Sequence, residues 1–158
     1  AGGGYIYTST DSGANWTERT GSGSRSWRSV TSSSDGTKLA AVVSGGYIYT
    51  SSDSGATWTA RTGPGSNYWR SIASSSDGSK LAAVEIGILG AGGYVYTSED
   101  SGVTWTQQAS SGARDWRSIA SSSDGGMLLI RAGMFTCQLT PGLRGLLRRW
   151  PALVAGGL

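Results

Sequence analysis

A sequence unit that repeats every 42 residues, four short strand segments in each unit and a hydrophobic content of only 37% predict an all-β fold built from β-propeller blades. Residues 3–42 and 45–84 are identical at 31 of 40 positions, and a third copy begins at Gly92. The step to this third copy is 47 residues, because segment 85–91 replaces the short connector 43–44. An insertion of this kind is expected to form a surface loop.

Each repeat divides into the four antiparallel strands of one blade. In the second repeat, segment 69–73 is followed by the turn pair Asp77-Gly78, and segments 80–84 and 94–98 precede a fourth strand that begins at Trp105. The same division predicts the last two strands of one blade at 3–20, complete blades at 27–62 and 69–108, and the first two strands of another blade at 116–130. Closed propellers have four to eight blades, so about three blade-equivalents predict an incomplete propeller over residues 1–130.

The composition narrows the function classes. Seven tryptophans and seven tyrosines against one phenylalanine indicate that amphipathic aromatic side chains provide much of the burial. The net charge of +3 depends on arginines after residue 130, so the repeats are nearly neutral and we expect no nucleic-acid partner. The chain has no histidine, which removes the commonest general base and metal ligand, and its single Cys137 cannot form an internal disulfide. The chain contains no apolar run of 18 residues, so we predict no membrane-spanning helix. The sequence does not indicate a cellular compartment.

Three octapeptides with the pattern Ser-x-Asp-x-Gly-x-Thr-Trp follow the third strand of a blade, and we call them the octapeptide turns (9–16, 51–58 and 98–105). The aspartate is expected to accept hydrogen bonds from turn amides, the glycine to adopt positive φ, and the tryptophan to pack under the hairpin. Asn15 replaces the threonine in the first copy and should weaken that turn slightly. The residues assigned these structural roles are Asp11, Gly13, Trp16, Asp53, Gly55, Trp58, Asp100, Gly102 and Trp105.

This pattern resembles the Asp-box, and residues 3–126 resemble the Asp-box superfamily of propellers. That superfamily includes sialidases, xyloglucan-directed glucanases, sortilin-like receptors and a photosystem II assembly factor. The resemblance implies a propeller fold but no particular function. For the sialidase members, the resemblance would imply a catalytic set of three arginines, a tyrosine with a glutamate partner and an acid aspartate, each on a different blade. That set cannot be placed here, since Arg28, Arg70 and Arg117 occupy equivalent positions instead of converging.

One tryptophan-arginine pair opens the first strand of each blade, and two interpretations of these pairs remain open. Exposed aromatic and arginine side chains could form a ring that binds a sugar or a partner protein. Alternatively, the tryptophans pack between blades, which the repeated spacing favours. The candidate binding residues are Trp27, Arg28, Trp69, Arg70, Trp116 and Arg117.

We predict no metal site and no cofactor. The octapeptide aspartates and the aspartates of the Asp-Gly turns, Asp35, Asp77 and Asp124, could be considered calcium ligands. Calcium takes six to eight oxygens from a clustered loop, whereas each turn offers one carboxylate, so turn capping is the expected role. The tripeptide 15–17 fits the N-glycosylation pattern, and chance explains it better than modification.

Residues 131–158 depart from the repeat and have two interpretations. Segment 143–150 resembles a short basic amphipathic helix. However, a shifted reading frame over 131–146 permits the sequence of another octapeptide turn, so a frameshifted continuation of the next blade is the favoured hypothesis. A chain that ends within a blade would expose a strand edge and a blade face, which predicts marginal stability or self-association.

The leading functional hypothesis is therefore a non-enzymatic repeat scaffold, a fragment of a propeller that presents a face to a protein or a glycan. Near-identical blades offer the same residues each time, whereas an active site needs different residues on different blades. The alternative is a fragment of a sialidase-like or glucanase-like glycoside hydrolase whose catalytic residues lie outside this chain. Between residues 45 and 103, Glu85 and Glu99 are the acids without a counterpart, and they lie in the insertion and a turn.

Overall fold

The structure is a computed structural model that describes residues 3–87 and 91–133. The tail predictions from residue 134 onward, including Cys137, lie outside these residues. The described strands are β1 (Ile6–Thr8), β2 (Thr17–Arg19), β3 (Trp27–Ser32), β4 (Leu39–Gly46), β5 (Ile48–Ser51), β6 (Thr59–Arg61), β7 (Asn67–Ser74), β8 (Leu81–Glu85), β9 (Val95–Ser98), β10 (Thr106–Gln108), β11 (Trp116–Ser121) and β12 (Leu128–Ala132). Single 3₁₀ turns lie at Thr20–Ser22 and Ala109–Ser111.

The strands form blades that follow the repeats. In the first blade, β3, β4, β5 and β6 pair antiparallel in sequence order, and β7 to β10 form the second blade in the same way. The N-terminal half-blade consists of β1 and β2, and the C-terminal half-blade of β11 and β12. The architecture is thus an all-β, incomplete propeller, in which β3, β7 and β11 are the innermost strands and β7 lies between β3 and β11.

Strand β8 shows why consecutive residues of a blade strand are apolar instead of alternating with polar ones. All four residues of Leu81–Val84 are buried, because the second blade is covered on both faces. Leu81 and Ala83 face the first blade, and Ala82 and Val84 face the C-terminal half-blade. The alanines keep these sheets close together, and the larger side chains fill the remaining space.

The core between the two complete blades is centred on Trp69. This side chain is 0% exposed and packs with Ile72 and Leu81 of its own blade against Val42 and Ile48 of the first blade. The Trp69 ring meets the ring of Tyr96 edge to face at a centroid distance of 5.1 Å. Trp69 therefore fills the space that the small alanines leave between these two blades.

The same hydrogen bonds recur at both boundaries between blades. The amide of Ser34 donates to the carbonyl of Ser76, and the amide of Ser76 donates to the carbonyl of Ser123, both over 2.7 Å. At the innermost strands, the amide of Ile72 donates to Ser29 Oγ and the amide of Ile119 donates to Ser71 Oγ, both over 3.3 Å. Equivalent residues thus make the same contacts at both boundaries, although β4 and β7 also pair through Ser44 and Tyr68 at the first boundary.

Replacing the central tryptophan tests this description of the core. We expect Trp69→Ala to lower the free energy of unfolding by about 3–5 kcal/mol, because a large cavity remains between the blades. The matched control is Trp16→Ala, since Trp16 is 63% exposed and its loss should cost less than about 1 kcal/mol. Urea unfolding followed by circular dichroism measures both, and equal losses would contradict the packing described.

Candidate functional site

The octapeptide turns use their aspartates to hold the turn itself. In the second copy, Asp53 accepts hydrogen bonds from Ser51 Oγ (2.8 Å), the Thr57 amide (2.9 Å) and Thr57 Oγ1 (2.5 Å). The amide of Gly55 donates to Ser51 Oγ (2.9 Å). Ser54 and Gly55 both have positive φ, at 55° and 86°, and the glycine adopts this conformation without a Cβ clash. The carboxylate is therefore occupied by its own turn.

The tryptophan of the first octapeptide turn is placed differently from those of the second and third turns. Trp58 Nε1 donates to the Gly55 carbonyl (3.1 Å) and Trp105 Nε1 to the Gly102 carbonyl (3.0 Å). Trp16 is exposed. In this first copy, Asn15 donates to Asp11 through its amide (2.9 Å) and through its side chain (2.6 Å), so asparagine supplies both bonds that threonine supplies elsewhere.

These hydrogen bonds lower the pKa of the turn carboxyl groups. The hydroxyl and then the amide of Thr57 lower the pKa of Asp53 to about 2. The amide and side chain of Asn15 do the same for Asp11, and Thr104 for Asp100, each to about 2. In the Asp-Gly turns, the Ser33 hydroxyl is the main cause that lowers the pKa of Asp35 to about 2. The pKa values of Asp77 and Asp124 are lowered in the same manner, first by Ser75 and Ser122.

The lowered pKa of Asp53 predicts how the turn responds to acid. Its folded pKa of about 2 lies below the ordinary aspartate pKa of 3.8, so its stabilisation is complete above about pH 4 and disappears as pH falls through about 2. We expect Asp53→Asn to lower the melting temperature at pH 7, and the difference from the wild type to shrink between pH 4 and pH 2. Thermal melts at pH 7, 4 and 2 measure this. Glu99→Gln, at an exposed position of the third turn, is the control, and a pH-independent difference for Asp53→Asn would contradict the prediction.

The tryptophans of the tryptophan-arginine pairs lie mostly inside the structure. Trp69 and Trp116 are buried, and their Nε1 atoms have no hydrogen-bond partner among the described residues. Trp27 is half-buried, donates from Nε1 to the Gly23 carbonyl (3.3 Å) and contacts the ring of Tyr49 at 5.2 Å. The rings of Trp69 and Trp116 therefore have no free face on which a sugar could stack.

The arginines of these pairs occupy a special backbone position. The pairing of β3 with β4 skips Arg28, that of β7 with β8 skips Arg70, and that of β11 with β12 skips Arg117, so each arginine is the extra residue of a β-bulge. Bulges re-aim side chains and occur often beside functional sites. We call this end of the blades, where the innermost strands begin, the bulge end.

The three bulge arginines differ in their surroundings. Arg28 and Arg117 are exposed and Arg70 is half-buried. Arg117 forms an ion pair with Asp115 at 2.6 Å. Within residues 3–87 and 91–133, no side-chain hydrogen bond engages Arg28 or Arg70. The guanidinium groups of Arg28 and Arg70 thus have no hydrogen-bond partner among the described residues.

Two further arginines at the bulge end were not predicted from the sequence. The guanidinium of Arg25 lies 4.5 Å from the ring centre of Tyr49 and 5.8 Å from that of Trp27. Arg114 lies 5.7 Å from the ring centre of Trp116. Both stand two residues before the tryptophan, a spacing that could have revealed them, although the second blade has Asn67 there. These cation–π contacts cover the tryptophans and add positive charge to the same end.

The opposite end of the blades, which carries the turns, contains a cleft between the first and second blades. Lys38, Thr50, Arg61 and Ser101 are among its lining residues. Arg61 Nε donates to Thr50 Oγ1 (2.8 Å) and Lys38 Nζ to Ser101 Oγ (3.4 Å). Arg61 is engaged within its own blade, and Lys38 bonds across the cleft to the octapeptide turn of the second blade. This cleft therefore offers fewer free groups than the bulge end.

Glu85 is an acidic residue at the bulge end whose pKa departs from its ordinary value. It is half-buried, burial raises its pKa, and its Oε1 accepts a hydrogen bond from the Tyr94 amide at 3.3 Å. In the part of the chain that the structure describes, no group of three or more His, Cys, Asp or Glu residues could hold a metal ion. Besides burial, the groups of the described residues that act on the Glu85 pKa belong to Tyr94 and Tyr96 and include no second carboxylate.

Comparisons with known proteins identify the fold. No protein-family model matches the chain, and no curated protein matches it either. Among solved structures, an ancestral GH74 enzyme aligns with a TM-score of 0.65 and 21% identity, over 84% of this chain and 19% of that chain. A GH74 xyloglucanase from Xanthomonas campestris aligns with a TM-score of 0.55 and 18% identity, over 73% of this chain and 21% of that chain.

The chain spans about a fifth of the length of these two GH74 enzymes. At this identity the likeness establishes a shared propeller fold, and it confirms the predicted fold class of incomplete propeller blades. Among the helices of the described segments, none has the length and apolar character needed to cross a membrane.

Proposed function

We propose that this chain is a non-enzymatic repeat scaffold of the Asp-box type, a fragment of a propeller that presents its bulge end to a protein or glycan partner. The observation that carries this proposal is the recurrence of an arginine at the same β-bulge in three successive innermost strands: Arg28, Arg70 and Arg117. The recurring hydrogen bonds of Asp11, Asp53 and Asp100 within their own turns support the Asp-box assignment.

The chemistry of arginine favours a partner that carries carboxylates or other oxyanions. A guanidinium group donates two parallel hydrogen bonds to a carboxylate, which lysine cannot do. Arg28 and Arg70 have free donors within the described residues, and the stacked Arg25 and Arg114 add positive charge. An acidic peptide segment or a glycan with acidic sugars would match several of these positions at once, and multiple weak contacts would add to its affinity.

Replacing the bulge arginines tests the binding role. We expect the triple variant Arg28→Gln, Arg70→Gln, Arg117→Gln to weaken the binding of an acidic peptide or an acidic oligosaccharide by roughly a hundredfold, since each charge-assisted bond contributes about 1 kcal/mol or more. Isothermal titration calorimetry with poly-glutamate and with oligogalacturonate, at low salt, measures this loss and separates the two ligand classes.

The control variant is Arg61→Gln, which removes one positive charge at the turn end. Blade two already has Gln108 at this position, where its side chain donates to Thr97 Oγ1 at 2.6 Å, so the fold accepts glutamine there. Binding equal in the wild type and the triple variant would refute the proposal. Equal losses in Arg61→Gln and in a single bulge variant would indicate nonspecific charge attraction.

The alternative function is that of a glycoside hydrolase fragment, and Glu85 is the observation that favours it. Burial raises the pKa of this carboxyl group, which is the property required of a general acid. Such hydrolysis requires a second carboxylate, and among the described residues none contributes to the raised pKa of Glu85. If the chain were an active hydrolase, it would release reducing sugars from xyloglucan, and Glu85→Gln would abolish the release. We expect no release from either protein.

A further inference from the structure

The third bulge arginine shows how this fold holds a carboxylate. Arg117 Nε and Arg117 Nη2 both donate to Oδ2 of Asp115, over 3.0 Å and 2.6 Å. A guanidinium group that donates two N–H groups to a carboxylate makes a strong, charge-assisted contact. Only 19% of the Asp115 side chain is exposed to solvent. Asp115 therefore occupies the binding groups of its own bulge arginine.

The backbone around this position is the same in all three blades. The position lies two residues before the bulge arginine, and its carbonyl accepts a hydrogen bond from the amide at the end of the second strand. These bonds join Gly133 to Asp115 (2.6 Å), Ser44 to Ser26 (3.0 Å) and Ile86 to Tyr68 (3.0 Å). The strand pairing then skips the arginine in each blade. A side chain at this position is therefore presented to its bulge arginine from an equivalent backbone.

The side chain at this position differs between the blades. It is Ser26 in the first blade and Tyr68 in the second, and neither residue brings a negative charge to the arginine that follows. Among the described residues, no side-chain hydrogen bond engages Arg28 or Arg70. The acidic partner of the third bulge arginine thus has no counterpart in the first two blades.

Arg28 and Arg70 lie on innermost strands that contact each other directly. The amide of Ile72 in β7 donates to Ser29 Oγ in β3 over 3.3 Å, one residue from Arg28 and two residues from Arg70. Sheets that pack face to face lie about 10 Å apart, so the two arginines are separated by a distance of this order. A peptide in the polyproline II conformation has three residues per turn and places residues i and i+3 on one face about 9 Å apart. Two acidic residues with this spacing therefore match the two arginines.

We propose that the bulge end binds an acidic peptide segment whose two carboxylates, three positions apart, take at Arg28 and Arg70 the place that Asp115 takes at Arg117. This inference rests on the proposed function of the bulge end, and it names the partner class and the residues that select it. The residue two positions before each bulge arginine decides whether that arginine is available. Arg117 joins the contact only when Asp115 releases it.

The surroundings of the arginines favour a peptide over an acidic sugar. Sugars bind well where an aromatic ring offers a free face, but Trp69 and Trp116 are buried. The guanidinium of Arg25 lies 5.8 Å from the ring centre of Trp27 and 4.5 Å from that of Tyr49, so these rings are also engaged. Recognition is therefore left to the N–H donors of the bulge arginines, which match the geometry of a carboxylate.

The first test closes the site at Arg28. The probe is a fluorescein-labelled peptide, Pro-Glu-Pro-Pro-Glu-Pro, whose prolines favour polyproline II, and fluorescence polarisation measures its binding to the full chain. We expect Ser26→Asp to raise the dissociation constant by roughly tenfold, because the new carboxylate occupies Arg28 as in the third blade. The control is Ser52→Glu, which adds a negative charge at the turn end, where the third copy already has Glu99. It should leave the constant unchanged.

The second test opens the site at Arg117. Asp115→Ser introduces the residue that the first blade has at this position. We expect it to lower the dissociation constant of a peptide with three glutamates, Pro-Glu-Pro-Pro-Glu-Pro-Pro-Glu-Pro, by roughly tenfold, because a third guanidinium becomes available. Adding Arg117→Gln should abolish this gain, and the control Glu99→Gln, which removes a negative charge at the turn end, should produce none. Loss of folding cannot tighten binding, so the gain separates recognition from stability.

A peptide with adjacent glutamates, Pro-Pro-Glu-Glu-Pro-Pro, tests the spacing and should bind roughly tenfold more weakly than the first probe, because it reaches one arginine at a time. Arginine-dependent binding that does not respond to Ser26→Asp, Asp115→Ser or this change of spacing would overturn the inference and leave the proposed function standing. Binding of no acidic probe, or binding unaffected by Arg28→Gln and Arg70→Gln, would overturn both. Tighter arginine-dependent binding of an oligogalacturonate of matched charge would overturn the assignment of a peptide partner.

Discussion

The whole fold depends on the requirement that each thin blade have both of its faces covered by neighbouring blades. A four-stranded sheet of this size cannot enclose a core of its own, so its apolar residues are buried only where another blade lies against them. The second blade meets this condition on both sides, and Ala82, Ala83 and Val84 are all 2% exposed or less. The first blade meets it on one side, and Val30 remains exposed. Identical sequence thus has different burial at different positions of the array.

The polar side chains at the two ends of the blades differ in whether they are engaged in hydrogen bonds. At the turn end, the carboxylates of Asp11, Asp53 and Asp100 accept hydrogen bonds from their own turns, and this use lowers the pKa of each to about 2. Groups that are committed in this way fix the hairpins and have little capacity left for a ligand. At the bulge end, Arg28 and Arg70 are held by no such contact within the described residues. The free hydrogen-bonding capacity of the scaffold therefore lies at the bulge end.

The sequence predicted the blades well because the repeat places the same residue in the same environment each time, and alternating apolar residues and Asp-Gly turns then specify strands and hairpins locally. It did not predict the bulges at Arg28, Arg70 and Arg117, because a bulge depends on the register between two strands, which one strand alone does not encode. The stacking of Arg25 on Tyr49 was also missed, since the two residues are 24 positions apart and meet only after the blade has formed. Local patterns thus specified the fold, while the site depends on pairings across strands.

The differences between repeats indicate where a uniform scaffold could become specific. Where the first and third copies have Arg25 and Arg114, the second blade has Asn67, and where the first has Val43, the second has the half-buried Glu85. Both changes lie at the bulge end, near the longer connector that follows β8. The hydrogen bonds from Ser34 to Ser76 and from Ile72 to Ser29 have equivalents at the second boundary, so these changes leave those contacts intact. A partner that contacts the bulge end would meet positive charge on the first and third copies and a less basic second blade. Such a pattern can select one partner among several acidic ones, which three identical arginines alone could not do.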